Sequence, residues 1–427
     1  MFPGSEIYGG LSNSYDYGPL GVELKNNIKK VWWERFVHRR DDMVGIDAAI
    51  IMNPKVWEAS GHVKEFYDSL MQCKKCNSIF RDDEIPGFIV RHDKYDAGKV
   101  KDLTCPECKQ KGDFTSPTLF SLMFETNLGP VKDRKSNVYL RPETAQAMFV
   151  DFKQILDTNP RLKIPFGIAQ IGKAFRNEVT PGNFIFRTRE FEMMEIEYFI
   201  REKEWKKWFD YWLDEMKGWL RDDLGISDEN LEFVEIPEGE RAHYSKRTID
   251  IEYQYPFGQK ELYGLAYRTD FDLKAHFKEL PYRDPETGEE FWPHVVEPTW
   301  GVDRSVLVVL LESYTEEKDR VVLRLPPKLA PYKAAVFPLL ANKPELVKLA
   351  RKIYEDLRKD FTVAWDDRGN IGKRYYSQDE IATPWCITVD FDSLKDKTVT
   401  MRDRDTTKQK RVKISNLAKT ISEALVL

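Results

Sequence analysis

In "LKNNIKKVWWERFVHRR" (24–40) the apolar residues Leu24, Ile28, Val31, Trp32 and Phe36 recur at helical steps and share one broad stripe, which predicts an amphipathic helix. "GIDAAIIMNP" (45–54) then reads as a buried strand ended by Pro54. "VYLRPETAQAMFVDFKQIL" (138–156) reads as a strand end followed by a helix, with Pro142 suited to the first helical turn and Glu143 opening it. "FRNEVTPGNFIFRTREFEMMEIEYF" (175–199) alternates like a β-hairpin turned by "TPGN". The strongest helical stripe is Trp205, Trp208, Phe209, Trp212, Leu213, Met216, Trp219 and Leu220, closed by Gly225 where a C′ glycine belongs. That helix needs no chemistry beyond packing under a sheet. Strands are predicted at 248–255, 260–273 and 297–301, and a buried helix at 305–317. "LRLPPKLAP" (323–331) marks a boundary. Beyond it, strand, helix, strand and strand alternate up to a terminal helix, the pattern of a compact α/β unit.

The totals add bounds. A chain of 427 residues suggests two or three domains with room for a real core. The longest wholly apolar run, "VLVVLL" (306–311), is far short of a membrane span, and "MFPGSEIYGG" lacks a secretory signal, so a cytoplasmic enzyme is expected. A net charge of −5 argues against nucleic-acid binding when taken alone. Its distribution changes that picture: residues 328–427 hold 20 Lys and Arg against 14 Asp and Glu. A basic C-terminal quarter in an acidic chain fits a nucleic-acid partner and fits an ordinary solvated surface equally well.

Four of the five cysteines form the pairs "CKKC" (Cys73, Cys76) and "CPEC" (Cys105, Cys108). In a reducing compartment two CxxC pairs read as a tetrahedral zinc site, with a metal-free loop or a redox pair as the alternative. Cys386, inside "PWCITVDF", reads as a buried core cysteine. The six histidines (38, 62, 92, 243, 276 and 294) show no Ser-His-Asp pattern.

The hairpin carries the sharpest chemical signal. Strand side chains alternate, so Arg187, Arg189, Phe191, Met193, Glu195 and Glu197 share a face, and Arg176 and Glu178 share one on the first strand. A surface hairpin laced with ion pairs accounts for part of this. A nucleotide site accounts for the row itself: arginine forks suit phosphates, a ring stacks on a base and an acid holds an amine.

Longer strings carry a family likeness. "FRNE" with "RTREFEMME", and "GVDR" (301–304) before an apolar helix, resemble motifs 2 and 3 of the class II aminoacyl-tRNA synthetases. The helix 24–40 and the strand ending at Pro54 resemble motif 1, the usual dimer contact. "FPGSEIYGGLSNSYDYGPLGVELKNN", "MNPKVWEASGH", "LRPETAQ", "FRNEVTPGNF", "REFEMMEIEYF" and "EPTWGVDR" resemble the homodimeric glycyl-tRNA synthetase family. "VFPL", "GKRYYSQDEIATPWCITVD" and "TVTMRDRDT" resemble that family's anticodon-binding domain. The family usually carries a helical segment ahead of "FPGSEIYGG", so a shortened N-terminus is expected.

The resemblance implies an α+β fold: a class II catalytic domain on an antiparallel sheet (1–327) and a C-terminal α/β anticodon-binding domain (328–427). The first would contain a zinc-knuckle insertion (73–115) and a helical insertion (about 201–247). It implies ATP, glycine and tRNA(Gly) as substrates, Mg²⁺ on Glu261, zinc on Cys73, Cys76, Cys105 and Cys108, and a homodimer. Arg176 and Arg304 would be catalytic, with Arg176 on the α-phosphate of ATP. Glu178 would read the adenine amine, Arg187 would reach the distal phosphates, and Phe191 and Arg304 would cover the two adenine faces. Asn177, Phe186, Leu262 and Gly301 complete the implied ATP set. Glu143, Glu195 and Glu297 would grip the glycine ammonium, with Thr299 in place of the more usual serine, Arg81 at the carboxylate and His62 on the substrate side. Two rivals are a synthetase-like binding module and a class II enzyme for serine or threonine. The first is expected to lose phosphate arginines, and this chain keeps Arg176, Arg187 and Arg304; the three acids and "RPETAQ" argue against the second.

Overall fold

The structure is a computed structural model that describes residues 1–81, 84–85, 103–130, 136–242, 244–279 and 282–426. Part of the expected zinc-knuckle insertion, His92 and His243 lie outside the described residues. A seven-stranded sheet organises the larger part of the chain. Its strands are β1 (Met43–Ile46), β2 (Phe166–Phe175), β3 (Glu190–Ile200), β4 (Leu231–Glu235), β5 (Arg247–Tyr255), β6 (Gly258–Thr269) and β7 (His294–Gly301). They lie in the order β4-β5-β6-β7-β3-β2-β1, antiparallel throughout except for the edge pair β1 and β2.

Alternation along β3 assigns its two faces. Met194, Ile196, Tyr198 and Ile200 are buried on one face. There they pack with α1 (Pro19–Trp33) through Leu24, Ile28 and Trp32, and with α3 (Trp205–Gly218) through Phe209, Trp212 and Met216. The tryptophan-rich helix is thus a packing helix, and Gly225 closes its last turn in the left-handed region (φ 70°). The other face changes character along its length. Phe199, Phe166, Ile168 and Val295 pack on α2 (Ala145–Val150), whereas Phe191 and Glu195 line an open cavity.

Several expected elements differ. Residues 45–54 do not form a buried strand: β1 stops at Ile46, and Pro54 begins the short helix Pro54–Ala59. Asn53 caps that helix by accepting the Lys55 N–H (3.0 Å), so Asn-Pro acts here as a helix start. Gly45 has no room for a side chain, because the Trp33 ring lies 2.3 Å from where its Cβ would be. The helix after "VYL" starts at Ala145, so neither Pro142 nor Glu143 is in its first turn. Tertiary bonds hold the segment outside the helix instead: the Pro142 carbonyl accepts Arg176 Nε (3.1 Å), and Thr144 donates to Glu195. The hairpin's first strand ends at Phe175 and its second begins at Glu190. Asn183 and Phe184, both left-handed, break the intervening chain into a loop with one 3₁₀ turn. Arg176, Glu178 and Arg187 are therefore loop residues. The strand expected over 260–273 ends at Thr269 (φ 63°), and Phe271–His276 is helical.

A second layered unit follows α4 (Val302–Ser313), built on β8 (Ala334–Pro338), β9 (Val363–Trp365), β10 (Trp385–Val389), β11 (Thr398–Asp403) and β12 (Gln409–Lys413). Its order is β9-β8-β10-β11-β12, parallel on the β9 side and antiparallel on the β12 side. Its core joins α5 (Pro344–Leu357), α6 (Ile371–Glu380) being packed outside it, and α7 (Leu417–Val426) to Val336, Ile387 and Met401. Strand β12 and helix α6 had no counterpart in the apolar pattern, because both are mostly polar. Cys386 is buried on β10. Among the described residues no helix is long and apolar enough to cross a membrane.

One buried ion cluster joins the two units. Asp379, with no exposed surface, accepts both Arg402 terminal nitrogens (2.8 and 2.9 Å) and Arg320 (2.8 Å), which belongs to the segment just after α4. Asp379→Ala would leave the buried Arg402 guanidinium without its carboxylate and Arg320 with Glu317 alone, and should cost about 3–5 kcal/mol. Urea unfolding tests this, and a loss below about 1 kcal/mol would show that the cluster does not hold the junction.

Candidate active site

The cavity over the polar end of β3 has a volume of about 540 Å³. Its walls include Arg81, Glu143, Arg176, Glu178, Phe186 and Arg187. Phe191, Glu195, Glu261, Leu262, Glu297 and Thr299 line it as well, with Gly301 and Arg304 at the start of α4. The face rule therefore brings Phe191 and Glu195 to the cavity from β3, while Arg187 joins them from the loop. Asn177 faces a neighbouring cavity of about 770 Å³ that also involves Tyr17 and Lys25.

One end is rich in arginine. Arg176 lies over the Phe191 ring (5.4 Å to its centre) and over Phe66 (5.4 Å). Arg187 is paired with buried Glu178, its Nε 2.8 Å from the carboxylate. Arg304 lies over the Phe186 ring (4.4 Å), donates to the Glu261 carbonyl (2.8 Å) and pairs with the exposed Glu261 carboxylate (3.3 Å). Each pair joins a cation that a phosphate could take over to a carboxylate that would then be free for another partner.

Three elements meet beneath this end. Asp303, in the first turn of α4, accepts from Tyr17 (2.5 Å), Lys25 (3.0 Å) and the Glu192 N–H (2.8 Å). Lys25 and Lys29 also reach Glu192 (3.1 and 3.0 Å). This knot fixes α1, β3 and α4 relative to one another, and so fixes Arg304 relative to Phe191.

The other end is crowded with carboxyl groups. Glu195 accepts from Thr144 and from Thr299 Oγ1 (3.2 Å). Glu143 faces His62 Nε2 (3.2 Å) and accepts from Gln146 (3.0 Å). Glu297 accepts from Arg268 (2.8 Å), which also grips Asp272 with two nitrogens (2.8 and 2.9 Å) and lies over the Tyr244 ring (3.9 Å). Arg268 is 2% exposed. Although burial works to raise it, His62, Arg268 and the Gln146 hydrogen bond hold the Glu143 carboxyl well below its ordinary range. Glu297 goes the other way: burial, with Glu195 and Glu143 nearby, pushes it up to about 8 despite the Arg268 contact. Glu195 is raised by burial and by Glu143.

Arg268, Asp272, Gln146 and Thr144 escaped the sequence reading. The Arg268–Asp272 spacing of four was visible, but an unbroken strand through Leu273 would have put both residues on one face without letting them fork. Only the turn at Thr269 brings Asp272 back onto Arg268.

The four paired cysteines also come together. Their sulfur atoms all lie within 4.8 Å of one another, with Cys73–Cys108 and Cys76–Cys105 at 3.7 Å. A tetrahedral metal with bonds of about 2.3 Å to sulfur requires edges of about 3.8 Å, so the four thiols are shaped for one ion. The strand Tyr67–Gln72 leads into this cluster and pairs Leu70 with Arg81, which lines the cavity. Glu84 then ties Arg81 N–H (3.0 Å) to Thr180 in the loop before β3 (2.8 Å).

Residues 124–314 match the family described as tRNA synthetase class II core domain (G, H, P, S and T), and residues 333–424 match the anticodon binding domain family. The chain is 51% identical to the glycine--tRNA ligase of Alkaliphilus oremlandii, over 100% of this chain and 96% of that protein. It is 49% identical to the glycine--tRNA ligase of Thermobifida fusca (100% and 95%) and 50% identical to that of Caldanaerobacter subterraneus (100% and 95%).

The carboxyl cluster predicts a pH signature. Glu297 and Glu195 bind protons more tightly folded than unfolded. Their stabilising contribution is complete below an unfolded value of about 4.3 and is lost as pH rises, for Glu297 through about 8. The Glu143 shift has the opposite sense and acts below that window. The melting midpoint of the ligand-free protein should fall between about pH 5 and 8, and Glu297→Gln should flatten the fall. A midpoint that rises over this range, or an unchanged slope in the variant, would contradict the charge assignment.

Proposed function

The chain belongs to the class II aminoacyl-tRNA synthetases, within the glycine--tRNA ligase family, and from that premise we propose how its residues divide the work. The reaction joins glycine to ATP as glycyl-adenylate with release of pyrophosphate, then passes glycine to the 3′ end of tRNA(Gly). The observation that carries the division is the two-ended cavity: arginines and aromatic rings at one end, buried carboxyl groups at the other.

At the arginine end, Arg176 meets the α-phosphate and Arg187 the distal phosphates. Adenine lies among Phe191, Phe186 and Arg304, with its amine toward Glu178; Asn177, Leu262 and Gly301 complete the ATP set. Arg187 must then leave Glu178 as ATP enters, which makes the existing ion pair a placeholder for the nucleotide. Glu261, exposed at the rim, would hold Mg²⁺, which offsets triphosphate charge when bound. At the carboxyl end, Glu143, Glu195 and Glu297 hold the glycine ammonium beside Thr299, while Arg81 attends the carboxylate. Glycine offers no side chain to grip, so a strongly held ammonium supplies the binding and filled walls exclude larger residues.

The glycine carboxylate oxygen attacks the α-phosphorus in line and pyrophosphate leaves. No protein nucleophile is needed. Positioning, with Arg176 donating to the oxygens where charge builds, carries the step. The terminal ribose hydroxyl of the tRNA then attacks the glycyl carbonyl and AMP leaves.

We propose further that residues 1–327 form the catalytic domain and 328–427 the anticodon-binding domain, in support of which stand the family matches and the basic balance of the latter. The four thiols hold a structural zinc, supported by their 3.7 Å spacing. The enzyme works in the cytoplasm as a homodimer, with Leu20, Val22 and Ile51, exposed around the motif 1 segment, as apolar side chains that the dimer would cover.

ATP–pyrophosphate exchange across all twenty amino acids tests the substrate. Glycine alone should support it, and activity with serine in its place would overturn the specificity. Arg176→Ala should lower exchange about 10²–10³-fold, as loss of a donor to the developing charge does elsewhere. Native mass spectrometry tests the assembly: two chains per particle, each with one zinc that Cys105→Ser removes. A single chain per particle, or a metal-free mass in wild type, would overturn the corresponding proposal.

A further inference from the structure

A fourth carboxyl group lies beside the three read as ammonium ligands. Glu197 follows Glu195 by two residues on β3 and shares its face. The register on either side, Glu195 with Thr299 and Tyr198 with Val296, sets Glu197 directly across from Glu297 on β7. Oxygens of Glu195, Glu197 and Glu297 lie within 4.8 Å of one another. Like charges directly opposite on neighbouring strands repel.

The surroundings of Glu197 offer no relief for a charge. It has no exposed surface, and neither carboxyl oxygen has a hydrogen-bond partner. On the β2 side it faces apolar Ile168. The nearby guanidinium of Arg268 is already turned to Asp272 and Glu297. Next to it Gln170, opposite Glu195 on β2, is also wholly buried, and both of its amide atoms lack partners. An ionised carboxylate here would be a desolvated charge beside two like charges, at a cost of several kcal/mol. A neutral acid avoids that cost and gains an O–H to donate.

We propose that Glu197 is a positioning and specificity residue of the amino-acid site that works as an uncharged carboxylic acid, donating its O–H to the adjoining Glu297 or Glu195 carboxylate once the bound ammonium holds that group ionised. This rests on the reading of Glu195 and Glu297 as ammonium ligands. The donated bond occupies one carboxylate oxygen from below and leaves the others aimed at the ammonium. Gln170 flanks the same floor from the side, its amide unpartnered opposite Glu195. Burial and the neighbouring Glu297 both act to keep the proton on Glu197. The site then meets the ammonium with fewer charges than its count of acids suggests.

Three full-length variants, Glu197→Gln, Glu197→Leu and Glu195→Gln, separate the possibilities in glycine-dependent exchange. Glu197→Gln keeps shape, neutrality and a donor, so glycine KM and kcat should stay within about twofold. Glu197→Leu removes the donor, so glycine KM should rise about tenfold while the KM for ATP stays put. Glu195→Gln should raise glycine KM about tenfold or more, as loss of a charged partner does. At about pH 9, above the value to which Glu297 is pushed, the infrared spectrum of the wild type should carry a protonated-carboxyl C=O band that Glu197→Gln lacks. The proposal is overturned if Glu197→Gln raises glycine KM as far as Glu195→Gln does, which would make Glu197 a charged ligand. It is overturned equally if the band is absent or Glu197→Leu leaves KM unchanged. If Glu195→Gln leaves glycine KM unchanged, the underlying reading of the site fails instead. Should Glu197→Leu not fold, the Gln variant and the infrared band decide the matter.

Discussion

The site depends on one imbalance: the buried guanidinium of Arg268 faces more carboxyl groups than it can neutralise, while Arg141, buried near Glu195, is turned to the Lys173 and Ala48 carbonyls. It binds Asp272 and Glu297 directly, and Glu143, Glu195 and Glu197 stand close enough to feel it. In so little water the surplus charge cannot be left bare. Protons settle part of it in the free protein, which is why Glu297 titrates so high. A bound cation would settle the rest. A small ammonium, as proposed for glycine, would be the complement such a cluster lacks, and the imbalance that makes the free site uneasy would make the occupied one selective.

That arrangement requires the polar row to stay on one side of β3, and the opposite face supplies the restraint. Met194, Ile196, Tyr198 and Ile200 are locked into a core shared with α1 and the tryptophan-rich helix. A slip of one residue would bury Glu195 and Glu197 in that core and expose the apolar set. The bulk of Trp212 and Trp219 is therefore not incidental to the chemistry. It pins the register from behind, at a distance from any substrate. The Asp303 knot does the same for α4, tying Arg304 to the helix and the strand that define the cavity.

Support from outside the sheet follows a similar logic. The cysteine cluster gathers the described ends of an insertion, where Met71, Ile85, Leu103 and Phe114 pack around the sulfur atoms. From it the chain reaches Arg81 at the cavity wall, and Glu84 ties that strand to the loop carrying Thr180. A metal there would brace the described ends of this insertion, and its effect would be carried to the cavity by one short strand. The Asp379 cluster is a second such joint, fixing the C-terminal sheet to the segment after α4.

Period-2 alternation was enough to show that Phe191, Glu195 and Glu197 share a face, because strand geometry is local. Helical period was enough to identify α1, α3 and α4, and the paired CxxC spacing was enough to nominate a four-thiol cluster. The strings around these elements carried the family. The sequence pattern misjudged what long-range contacts decide. Arg176, Glu178 and Arg187 look like strand residues until left-handed Asn183 and Phe184 turn the chain into a loop. Pro142 and Glu143 look helical until Arg176 takes the Pro142 carbonyl. Arg268 looks like one more strand arginine until Thr269 turns Asp272 back onto it. Periodicity reports which way a side chain points relative to its neighbours in the chain. Which charges share a dry cavity is settled by residues about a hundred positions apart, such as Glu197 and Glu297, and only the folded sheet brings those two face to face.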